Sequence, residues 1–102
     1  MPVSVGTPSA EVFARCVAAI EAYPPAADRK PLRFAEPFDN VDEDGRRVFV
    51  EELPWTDDPV GEIVWTYVVS MDRAGTVTEV FHFLSRIRED GGRDTIPPPR
   101  TT

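Results

Sequence analysis

The chain has 102 residues and a formal net charge of −7 at pH 7, with a pI near 4.6; that length supports one hydrophobic core and is short for two. Hydrophobic residues make up 41% of it and aromatic residues 10%, so its middle is expected to fold rather than stay disordered. The negative charge disfavours nucleic acid and anionic lipid as partners and suits a basic protein.

Residues 1–6 carry no periodic pattern and read as a short arm. With no basic n-region before a long apolar run, the start is not expected to act as a secretion signal. No stretch approaches the eighteen or so apolar residues of a membrane span, so a cytoplasmic location is expected. The lone thiol, Cys16, excludes a disulfide framework within the chain. Lys30 is the only lysine among eleven basic residues, a bias that fits GC-rich coding.

Thr7 followed by Pro8 reads as an N-cap and first helical position. Val12, Phe13, Cys16, Val17, Ile20 and Tyr23 then fall on one side of a helix, with Glu11, Arg15 and Glu21 mostly on the other. Pro24 and Pro25 end it, which predicts a helix over 8–23.

The rest reads as β-structure. Strands are expected at 31–36 (PLRFAE, an edge because of its proline), 47–53, 62–71 and 76–87. The connections DNVDEDG, PWTDDPVG and DRAG hold turn-forming residues, and Asp72-Arg73-Ala74-Gly75 suits a tight hairpin with left-handed Gly75. The fold class is therefore α+β: one N-terminal helix packed on a four-stranded antiparallel meander, a single domain over 1–90. Residues 91–102 read as a flexible tail with polyproline II character at 97–99.

Alternation splits each strand into two rows. Ile63, Trp65, Tyr67, Val69 and Met71 form an apolar row, yet the opposite row (Val64, Thr66, Val68, Ser70) is half apolar too. In the next strand Val77, Glu79, Phe81, Phe83 and Ser85 oppose Thr78, Val80, His82 and Leu84. One helix covers one face only; leaving ~300 Å² of the other in water forgoes about 7 kcal/mol at ~25 cal/mol per Å². A second copy, another protein, a ligand, or the chain's own loops and tail would have to cover it.

Residues 40–51 match the spacing of a calcium-binding loop at Asn40, Asp42, Asp44, Gly45 and Glu51. Asn40 replaces the usual aspartate, Arg47 the usual aliphatic residue, and the flanks look extended, so the stretch reads as an acidic hairpin turn without metal. The only histidine, His82, is a candidate general base, or else a hydrogen-bonded residue of the sheet surface. Cys16 has no visible base beside it and reads as a core residue. No phosphate loop, GxSxG elbow or CxxC pair occurs, and no cofactor is expected.

Two functional readings follow. Residues 36–62 hold ten acids and two bases, a balance of −8. Phe38, Asp42, Asp44, Glu51, Trp55, Asp57 and Asp58 are therefore candidates for docking a basic protein or for self-association, without catalysis. Alternatively, Trp65, Tyr67, Glu79 and His82 line a ligand or isomerase-like pocket on a curved sheet. That arrangement resembles cystatin-like and NTF2-like architectures by analogy alone, and alternation puts His82 and Glu79 on opposite faces unless a bulge intervenes.

Overall fold

The computed structural model of the chain describes residues 4–29 and 32–96. It is α+β, with one main helix and a curled antiparallel sheet. In chain order the elements are β1 (Ser4–Gly6), α1 (Ala10–Glu21), a 3₁₀ turn (Pro24–Arg29), β2 (Phe38–Val41), β3 (Gly45–Glu51), β4 (Ile63–Asp72), β5 (Val77–Ile87) and β6 (Arg93–Ile96). The strands lie side by side in sequence order, every neighbour antiparallel. Among the described residues no helix is long and apolar enough to cross a membrane.

The helix starts two residues later than Thr7-Pro8 implies. Ser9 is the cap, its hydroxyl accepting from the Val12 amide at 3.2 Å. The prolines do end α1, but the chain continues as a 3₁₀ turn, whose opening turn tolerates their missing donors.

Among the described residues six strands pair where four are expected. Of the strand expected over 31–36, Pro31 lies outside the described residues and 32–36 form only a single bridge, Phe34 with Glu52, flanked by Ala35 N to Glu51 O and Leu53 N to Arg33 O, both 2.8 Å. This lays the Phe34 ring edge-on to Phe13 and Tyr67, at 6.3 and 6.2 Å. The ladder partner of β3 is the polar FDNV instead. Residues 93–96, within the expected tail, pair with β5, while the proline run at 97–99 lies outside the described residues.

The core lies between α1 and one sheet face. Cys16, Ile20, Ala26, Val48, Val50, Tyr67 and Val69 are fully buried there. A bulge between Ser70 and Met71 pairs Ser70 with Glu79 but Met71 with Val77. Val77 is thereby turned onto the helix side, against the simple alternation. The Asp72–Gly75 turn forms as expected, with Gly75 at φ +87° and Asp72 Oδ1 accepting from the Ala74 and Thr76 amides.

Candidate functional site

Two side-chain constellations stand out, one on each face. On the helix side, β4 presents Trp65 and Tyr67, and β5 presents His82 directly opposite Tyr67. Tyr23, between α1 and the 3₁₀ turn, meets His82 Nδ1 in a 2.7 Å hydrogen bond. His82 stacks on Trp65 at 4.2 Å and 7°, and Arg29 of the 3₁₀ turn lies 4.3 Å from the Trp65 ring centroid. Arg29 also donates twice to Glu52, at 2.8 and 2.7 Å, and the buried Tyr67 hydroxyl donates to the same carboxylate.

Burial and the Glu52 carboxylate push the Tyr67 hydroxyl well above its ordinary range. Burial, then the Arg29 charge, hold His82 below 6.5, with Glu52 acting the other way. The charged form of His82 is thus disfavoured, and Tyr23 and Trp65 fix the orientation of its ring. The cluster is a closed network that fastens the 3₁₀ turn to the sheet.

The other face is concave. Glu51 of β3 and Arg93 of β6 are three strands apart, and register sets them four residues apart along the strands. On a flat sheet that is roughly 14 Å across and 13 Å along. Their side chains nevertheless meet at 3.2 and 3.0 Å, so the sheet curls toward this face.

A cavity of about 290 Å³ opens here and touches β2 through β6. Phe38 and Phe49, stacked at 4.8 Å and 8°, form one wall, and Phe83 lines it from β5. Thr66 and Ser85, 6% and 2% exposed, belong to its floor, with Thr95, Arg93 and Glu51 also lining it. Among the described residues neither the Thr66 nor the Ser85 hydroxyl has a hydrogen-bond partner, yet no sealed side-chain polar atom goes unpaired. Both hydroxyls therefore reach the cavity surface. Farther along the same face Phe81 is 40% exposed, and at the rim Phe38 is 48% exposed.

Phe38 and Glu51 thus come together at the cavity. Asp42 and Asp44 sit at the β2–β3 turn, where Asp42 Oδ1 accepts from the Asp44 and Gly45 amides. Strands flank this turn, so the 40–51 stretch is a hairpin. Trp55, Asp57 and Asp58 sit in the loop before β4, where Glu62 accepts from the Trp55 amide and the Thr56 hydroxyl. Arg33 covers the Trp55 ring at 4.6 Å. The two acidic groups flank opposite ends of ten-residue β4, roughly 30 Å apart at ~3.4 Å per residue, and do not form one patch.

Trp65, Tyr67 and His82 share the helix-side face, whereas Glu79 pairs with Ser70 on the concave face, beside Arg47 and Thr78. The bulge lies beyond Glu79, so it does not bring Glu79 and His82 together. Sequence reasoning missed Thr66, Phe83, Ser85 and Arg93; its one pointer was the half-apolar second row of β4. No family model, curated protein or solved structure matches this chain; the fold and site define only a class, an α+β domain with an open cavity on a concave sheet face.

Proposed function

We propose that this chain is a non-catalytic interaction module, acting in the cytoplasm, that receives a basic protein partner on the concave face of its sheet. The observation that carries the reading is the row of phenylalanine rings on this face. Phe38 at the rim of the cavity and Phe81 beyond it stay nearly half exposed, and no other element covers this face among the described residues. The net charge of −7 favours a basic partner and speeds encounter with it. The single histidine is engaged by Tyr23 and Trp65 on the opposite face, which leaves the cavity without a general base of that kind.

The test places a photocrosslinking amino acid at Phe81 or, separately, at Glu89, which is exposed in the β5–β6 turn. Irradiation in cells is expected to give one discrete protein adduct from position 81 and none from position 89. Adducts of equal yield from both positions, or none from position 81, would reject the reading.

The 290 Å³ cavity supports a second reading, a small-ligand binder, since ligand sites start at about that size. Native mass spectrometry of the purified protein, expected to show the bare chain, would favour this reading if a small molecule were retained.

A further inference from the structure

We infer that the concave cavity is a receptor for a tyrosine side chain presented by a basic protein partner, the phenol ring lying among Phe38, Phe49 and Phe83 and its hydroxyl reaching Thr66 and Ser85. The inference rests on the docking reading above and names what the partner inserts.

Three observations lead to it. First, the walls are aromatic, and the Phe38–Phe49 stack offers a flat face to a further ring. Second, the floor carries the hydroxyls of two residues more than nine-tenths buried, without a hydrogen-bond partner among the described residues and open to the cavity. A hydroxyl both donates and accepts, so the pair matches a group that does the same, which a phenol does and a phenylalanine side chain does not. A charged head is a poor match for the floor, because Glu51 and Arg93 already neutralise each other and the third charged lining residue, Glu36, is exposed to solvent, where it suits a basic residue beside the ring. Third, the exposed apolar surface runs past the cavity to Phe81, which does not line it. A ring-sized ligand would leave Phe81 uncovered; a polypeptide carrying that ring covers both. Lysine or arginine beside the tyrosine suits a host of charge −7.

The test is a titration of the ¹⁵N-labelled full chain, following the amide signals of residues 66, 83 and 85. Toluene and p-cresol share a ring and a methyl group and differ by one hydroxyl. p-Cresol is expected to bind about fivefold to tenfold more tightly, the worth of one well-made hydrogen bond. In Thr66→Val with Ser85→Ala the preference should vanish while toluene still binds, which also shows that the doubly substituted protein is folded.

Toluene binding as well as p-cresol in the unaltered protein would overturn the tyrosine assignment and leave the docking face intact. Neither compound moving these signals would overturn both. The peptides Ac-Lys-Tyr-Lys-NH₂, Ac-Lys-Phe-Lys-NH₂ and Ac-Glu-Tyr-Glu-NH₂ then separate the sources of the phenol. The first should bind more tightly than p-cresol and than either other peptide. If all three bind more weakly than p-cresol, the phenol is a free small molecule and the protein-partner part is overturned.

Discussion

Glu51 and Glu52 are neighbours with opposite fates, and replacing each by glutamine gives a sharp test of the structure. Glu52 is 4% exposed and accepts two hydrogen bonds from Arg29 and one from Tyr67. In Glu52→Gln one amide oxygen must serve three donors, while the new NH₂ group faces a guanidinium that cannot accept. Each charge-assisted bond is worth about 1.5–3 kcal/mol. One bond to the amide oxygen survives, and Arg29, whose side chain is 24% exposed, can turn toward water. The net loss should be about 2–3 kcal/mol, against the 3–5 typical of a fully buried pair. Glu51 pairs with Arg93 at side-chain exposures of 24% and 34%, so Glu51→Gln should cost about 1 kcal/mol or less. Urea unfolding followed by tryptophan fluorescence reads both. With an m-value of about 1–2 kcal/mol/M, the Glu52→Gln midpoint falls by about 1–3 M at unchanged m. A fall no larger than that of Glu51→Gln would refute the assignment of Glu52 to the buried network.

Three further outcomes are expected. Because the folded state holds His82 below 6.5, the unfolded chain binds the proton more readily. His82 should therefore lower stability as pH falls through 6.5 toward the folded value, and His82→Gln should flatten that slope in urea midpoints measured from pH 7.5 to 5.5. Burial raises the Cys16 thiol to about 11, so Ellman's reagent should leave it unmodified in native protein at pH 8 and modify it once the chain unfolds in urea. Gly45 has φ +151°, and an added Cβ would run into the Met71 carbonyl. Gly45→Ala should cost at least about 2 kcal/mol, and Gly61→Ala, left-handed but in open space, about 1, as read by urea midpoints.

How far the sequence reveals this molecule depends on where each signal resides. Helix α1 and strands β4 and β5 were legible because their apolar spacing is local and long. FDNV was not, since aspartate and asparagine are poor strand formers; it becomes β2 only because Asp39 pairs with Val48 and reaches Arg46 at 3.1 Å. RDTI, between a glycine pair and a proline run, becomes β6 through β5 and the Arg93–Glu51 pair. Alternation assigned the faces correctly up to the Ser70/Met71 bulge, which no residue of the sequence announces. Phe38 and Glu51, docking candidates by their chemistry, come together along the cavity of the concave face. Thr66 and Ser85 look like ordinary strand residues, and only the curl that brings β3 and β6 together makes them a cavity floor.

The curl also changes what the uncovered face can offer a partner. One helix leaves the second face bare, but Val64, Val68 and Ile87 are 2%, 1% and 4% exposed, so concavity itself withdraws most of that surface from water. What remains is chiefly Phe38 and Phe81, at 48% and 40%. Taking ~200 Å² per ring side chain, that is about 180 Å² and about 4 kcal/mol, well under the ~300 Å² that alternation alone suggests. Immobilising a partner costs about that much or more, so the rim rings cannot hold one by themselves. A stable complex on this face must also fill the cavity, and its affinity should depend on the group inserted there more than on the two exposed phenylalanines.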